Sequence, residues 1–109
     1  MSHRQEKINS LLEHELGAII LREVEFPAGI FVTILAARTT EDHKQARVII
    51  SVFPFDKSEL ALEILNKNIY HVQQILNKKL RMRPVPKIFF RADATEENAG
   101  KVEILLKND

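Results

Sequence analysis

The sequence predicts an α+β domain with element order α-β-β-α-α-β, in which helices cover one face of a three-stranded sheet. Three observations carry this. Two long segments repeat apolar residues in steps of three and four, the spacing of one helical face. Two β-branched runs are joined by a short polar link, which makes an antiparallel hairpin the simplest connection. A third β-prone run follows a proline turn after the second helical segment.

The first helix spans Ser2 to Glu25, with Ile8, Leu11, Leu12, Leu16, Ile19, Ile20 and Val24 on one stripe. Ser2 with Gln5 three residues later fits a capping box, and Pro27 and Gly29 end the element. Ile30–Arg38 (IFVTILAAR) is the first strand, Thr39–Lys44 the turn, and Gln45–Phe53 (QARVIISVF) the second strand, closed by Pro54. Asp56 followed by Glu59 marks the next helix start. Leu62, Leu65, Ile69, Val72, Leu76 and Leu80 then continue one stripe. A helix of about 25 residues is long for a small domain, so a break near its middle is expected. Arg83 precedes Pro84 and is pushed towards extended backbone, which stops the helix. Lys87–Ala92 (KIFFRA) is the third strand. Thr95–Lys107, anchored by Val102, Leu105 and Leu106, is a short final helix or a loose tail.

The 109 residues fit a single domain, 1–109, with no repeat, low-complexity tract or linker. There is no cysteine, which excludes disulfides, thiolate metal sites and cysteine nucleophiles. The N-terminal MSHRQEKINS lacks the apolar core of a signal peptide, and no apolar run approaches the ~20 residues that span a bilayer. A cytoplasmic protein without a membrane partner is expected.

Familiar catalytic patterns are missing. His14-Glu15 opens like a zinc-protease motif, but Ala18 stands where the second histidine belongs. The four histidines, His3, His14, His43 and His71, have no ligand spacing, so no metal is expected. Gly17, Gly29 and Gly100 form no phosphate-cradling loop. Ser51 lies in a strand pattern with no histidine near it in sequence. No enzyme activity, cofactor or small-molecule substrate is expected.

Net charge is only +1, but its distribution is uneven. Ile64 to Ala92 holds seven basic residues and none of the 15 acids: Lys67, Lys78, Lys79, Arg81, Arg83, Lys87 and Arg91. The densest part is the stretch NKKLRMRPVPKIFF, 77–90. Two readings compete. Cations on a helix's last turns complement the negative dipole end by ~0.3–1 kcal/mol each and need no further role. An unbroken positive span also suits a phosphate-binding face, with Asn66, Asn68, Gln73, Gln74 and Asn77 as exposed amides able to hydrogen-bond RNA. Phe89 and Phe90 are adjacent and so face opposite sides of the sheet, one of them under the helices. Tyr70, in mid-helix, reads as half-buried. This is not the interleaved aromatic platform of a base-stacking sheet.

Four stretches, in order, resemble the ribosome-binding factor A family, small bacterial proteins that help mature the small ribosomal subunit. Arg22-Glu23-Val24 with Pro27 is similar to the end of its first helix, and Phe31-Val32-Thr33-Ile34 to its first strand. Thr40 to Val48 with Ser51 resembles its serine-x-aspartate-leucine-x-x-alanine turn and second strand, and Leu76 to Phe90 its helix end, basic cluster and third strand. The likeness runs from about Arg4 to Leu106. Asn68-Ile69-Tyr70 replaces the usual alanine-x-glycine kink, Phe26 and Ala28 replace an aspartate and an arginine, and His43 replaces a leucine.

The resemblance implies a KH-like fold of the type II order and a factor that binds small-subunit 16S ribosomal RNA. It further implies assistance in late maturation of the 30S subunit and in processing of its precursor rRNA. KH-like domains clamp RNA backbone beside the helix break. The candidate contacts are therefore Lys67 and Asn68 at the break and Lys78, Lys79, Arg81 and Arg83 at the helix end, with Arg91, Arg4 and Lys7 as further candidates. A monomer is the simplest expectation. The alternative is a protein-interaction module that docks an acidic partner through the basic helix end without RNA.

Overall fold

Ser2 starts the first helix as the capping box requires. In the computed structural model, which describes residues 2–93, Gln5 N–H donates to Ser2 Oγ at 3.1 Å and Ser2 N–H donates to Gln5 Oε1 at 3.3 Å. The expected final helix or tail at 95–107 lies outside the described residues. Helix α1 runs His3–Glu23 and ends where Val24 turns extended, two residues before the expected end. Strand β1 is Phe31–Thr39, one residue later than expected. Gly29, at φ 88°, makes the turn that bonds Ile30 N–H back to Pro27 O and keeps Ile30 out of the strand. Strand β2 is Gln45–Phe53, as expected.

The second helical segment starts later than the Asp56–Glu59 pattern suggested. Phe55–Lys57 is a 3-10 turn, and Ser58 Oγ donates to Phe55 O at 2.6 Å. Asp56 lies inside that turn and caps nothing; α2 runs Ser58–Lys67 without a side-chain cap. The expected break falls at Asn68, whose φ −102° and ψ 0° leave the helical region. Its N–H bonds back to Ile64 O and Leu65 O, and its own carbonyl accepts Val72 N–H. One residue thus ends α2 and begins α3, Ile69–Lys79. Leu80 is extended, and β3 follows as Lys87–Ala92.

The sheet order is β1-β2-β3. β1 and β2 are antiparallel from Phe31↔Phe53 to Thr39↔Ala46, with a bulge between Ile34 and Ala36. β3 lies parallel to β2, from Gln45↔Lys87 to Ile50↔Ala92. Alternation decides which sheet face is covered. Ala37, Ala46, Val48, Ile50, Val52, Ile88 and Phe90 are buried against Leu12, Leu16, Ile19, Leu65, Val72 and Leu76. Each fully buried aliphatic side chain contributes ~1.5–3 kcal/mol by leaving water. The alternate residues, Arg38, Arg47, Lys87, Phe89 and Arg91 among them, are exposed on the other face. This is the α+β order with helices on one face that the sequence pattern predicts, and the KH-like arrangement that the family resemblance implies.

Both sheet edges are covered by side chains of the helices. On β1, Asn9 Oδ1 accepts from Thr39 N–H at 3.0 Å and from Thr39 Oγ1 at 2.9 Å, and Glu13 Oε1 accepts from Ala37 N–H at 3.0 Å. On β3, Gln73 Oε1 accepts from Ile88 N–H at 2.9 Å and Gln73 Nε2 donates to Pro86 O at 3.0 Å. Open strand edges template further pairing, and these are blunted.

Candidate nucleic-acid interface

The helix break and the third strand frame a groove. Between α3 and β3 lies a concavity of about 490 Å³ with Ile69, Val85 and Ile88 as its floor and Tyr70, Lys87 and Phe89 at its rims. Tyr70 is 76% exposed, not half-buried, because it follows Ile69 and so falls off the 69-72-76 stripe. Of the adjacent phenylalanines, Phe90 is buried beneath the helices and Phe89 is 42% exposed.

The groove's amides are partly committed. Gln73 holds the β3 backbone and donates to Asn77 Oδ1 at 3.0 Å, so it is not the open hydrogen-bonding group that composition suggested. Gln74 remains exposed. Asn68 Nδ2 donates to Ile64 O at 2.8 Å, capping the end of α2.

The candidate cations fall into separate groups. Lys78 and Lys79 are exposed on the last turn of α3, and Arg81 and Arg83 are exposed in the segment before β3. These four lie within six residues of chain between Asn77 and Val85, which line the groove, though none of the four lines it itself. Arg83 is partly structural, since its Nη1 donates to Leu80 O and Met82 O, each at 2.7 Å. Lys67 and Asn68 sit at the other end of α3, whose 11 residues span roughly 16 Å. Arg4 and Lys7 are exposed on the first turns of α1. That helix begins near Thr39, where Gln5 Nε2 donates to Thr39 O at 3.2 Å. Arg91 lies on the sheet face that carries no helix.

The acid-free span is acid-free in sequence but not in space. The fold brings Glu23 of α1 to the start of α3, with His71 Nε2 at 2.9 Å from Glu23 Oε1. Arg22 Nε is 3.2 Å from the other carboxylate oxygen. The His71 bond, then the Arg22 bond, hold the Glu23 carboxyl below its ordinary value. Lys67 Nζ is 3.9 Å from Glu63 Oε1, an exposed pair of little energetic weight. By contrast, Lys78, Lys79, Arg81, Arg83 and Lys87 make no ion pair among the described residues. Unpaired positive charge therefore concentrates at the α3–β3 end.

Among the described residues no cluster of three histidine, aspartate or glutamate side chains has metal-holding geometry. No helix among them is long and apolar enough to cross a membrane. The groove's lining holds one cation, Lys87, and two aromatic rings, Tyr70 and Phe89, and the cations at 78–83 belong to the segment that joins its two walls, an arrangement suited to an extended polyanion.

Comparison with known proteins agrees with this architecture. A relative from Chlorobium phaeovibrioides, ribosome-binding factor A, is 36% identical over 99% of this chain and 92% of its own length. The protein of that name from Akkermansia muciniphila is 32% identical over 99% of this chain and 86% of its own length. The crystal structure of ribosome-binding factor A from Thermus thermophilus superposes with a TM-score of 0.72 at 24% identity, covering 81% of this chain and 93% of that one. A homology model of the Thermus thermophilus factor, fitted into a cryo-electron-microscopy map of its 30S complex, gives 0.69 at 24% identity, covering 86% and 96%. The family model for ribosome-binding factor A matches residues 4–106, the same span over which the sequence resembles that family, and this KH-like chain is a member of it.

Proposed function

We propose that this chain is a ribosome-assembly factor that binds 16S rRNA of the small subunit and assists late 30S maturation and precursor processing. The observation that carries this is the set of cations without ion pairs among the described residues, Lys78, Lys79, Arg81 and Arg83, on the segment that joins α3 to β3, next in sequence to Asn77 and Val85 of a groove rimmed by Tyr70 and Phe89. Their work is phosphate positioning. Lys67 and Asn68 would meet the same strand about one helix length away, Asn68 through its side-chain oxygen, since its Nδ2 caps α2 and its backbone groups are bonded within the helices. Arg4, Lys7 and Arg91 would add peripheral contacts. Family membership supports the reading, as does the fit of the Thermus relative into a 30S complex. We take the protein to act as a cytoplasmic monomer, which the blunted edges of β1 and β3 favour.

Reversal of Lys78, Lys79 and Arg81 to glutamate tests this. The triple variant keeps its circular dichroism spectrum and loses co-sedimentation with small ribosomal particles. Undiminished co-sedimentation contradicts the assignment. If wild-type association persists on nuclease-treated material through a protein partner alone, the domain is instead a protein-interaction module.

A further inference from the structure

The sheet face that carries no helix has a charge pattern of its own. The three strands contain four charged residues, Arg38, Arg47, Lys87 and Arg91, and no acid. All four are exposed on this one face. The whole chain has 16 basic and 15 acidic residues, so the segregation is one of position and not of composition. None of the four makes an ion pair among the described residues. Asp42, in the adjoining turn, is exposed and engaged within the turn, accepting from Thr40 Oγ1 at 2.6 Å and Lys44 N–H at 3.0 Å.

The register sharpens the pattern. Arg38 pairs directly with Arg47, and Arg47 pairs with Phe89, so one row across the sheet reads Arg-Arg-Phe. Like charges directly opposite one another destabilise a sheet, and the three strands contain no acid to offset them. A shallow concavity of about 410 Å³ lies over this row, lined by Arg38, Thr40, Gln45, Arg47, Phe89 and Arg91. Phe89 is 42% exposed there, with Lys87 Nζ 5.6 Å from its ring centre. Phe89 and Lys87 also border the α3–β3 groove, so the two surfaces meet over the β3 edge.

We infer that the open sheet face is a second RNA-contacting surface, on which Arg38, Arg47 and Arg91 hold phosphates of a single-stranded segment and Phe89 stacks one unpaired base. The occupant is a continuation of the strand in the groove, passing over β3 at Lys87 and Phe89. Cations that track a backbone beside an aromatic platform suit single-stranded RNA, because every base has a stacking face. The inference builds on the groove reading and extends it from one face of the domain to two.

The test uses the full chain and a fluorescein-labelled single-stranded RNA of about 12 nucleotides, a length suited to a groove plus one further surface. Wild type, Arg38→Gln/Arg47→Gln, Phe89→Leu and the Lys78/Lys79/Arg81 reversal are compared by anisotropy over a salt series. The double glutamine variant should bind roughly tenfold more weakly near ~0.1 M salt, and its log–log salt slope should flatten by about 1.4, near 0.7 per lost phosphate. Its melting temperature should be unchanged or higher, because a like-charge pair is removed. Phe89→Leu should lose about tenfold in affinity with the salt slope kept. If the glutamine variant binds like wild type while the groove reversal weakens binding, this inference falls and the groove reading stands. If neither weakens binding, both fall. If the glutamine variant loses small-particle association but not RNA binding, the face docks a protein and the inference is overturned. Unchanged affinity of Phe89→Leu overturns the stacked base.

Discussion

Ile88 N–H donates to Gln73 Oε1 at 2.9 Å, and Gln73 returns a bond to Pro86 O at 3.0 Å. One side chain thereby does for the outer edge of β3 what a fourth strand would do. Replacing Gln73 with leucine keeps bulk but leaves the Ile88 N–H without its partner. The expected loss is about 1–3 kcal/mol, read from urea unfolding. An unchanged unfolding midpoint would show that water serves the edge equally well. The same variant should self-associate more in sedimentation velocity, since an open edge recruits strands.

The helix break depends on Asn68 in a different way. Its side chain caps α2 through Ile64 O at 2.8 Å, and its backbone sits at φ −102°, where glycine has no steric advantage. Asn68→Ala should lower stability by about 0.5–1.5 kcal/mol. Asn68→Gly should not restore it, although the wider family places glycine near this kink. A glycine variant as stable as wild type would contradict this account of the break.

The bond between Glu23 and His71 links the end of α1 to the start of α3 and gives a pH signature. The folded carboxyl titrates below its ordinary value of about 4.5, because ionised Glu23 accepts from His71 and Arg22. A depressed folded value means the contribution is present above the unfolded value and is lost as pH falls through the folded one. Wild type should therefore exceed Glu23→Gln in unfolding midpoint at neutral pH, and the difference should shrink below about pH 4. A difference that stays constant or grows in acid would contradict the assignment.

Much of this fold was legible because its signals are local. The Ser2–Gln5 box and the alternation of β2 and β3 depend on neighbours in sequence alone, whereas α3 ends at Lys79, ahead of the stop expected at Arg83-Pro84. The shift of β1 came from one left-handed glycine, and the late start of α2 from a 3-10 turn that no periodicity announces. The proposed site stands out in sequence as a charge cluster at Lys78, Lys79, Arg81 and Arg83. The exposure of Tyr70 could have been found, since it falls off its helix's stripe. The commitment of Gln73 could not, because it depends on where the β3 edge arrives. Nor could Glu23 be placed beside the basic span, 48 residues from its partner His71. Arg38 and Arg47 escaped a count by segment because they belong to different strands and meet only through register.

The central claim is that the α3–β3 groove and its cations hold small-subunit RNA. Ultraviolet crosslinking in cells, with both the nucleotides and the attached peptides identified, tests it most directly. The account predicts crosslinks confined to 16S rRNA and carried by peptides that contain Tyr70 or span Lys78 to Phe89. Crosslinks carried by the middle of α1, or none to ribosomal RNA, would contradict it.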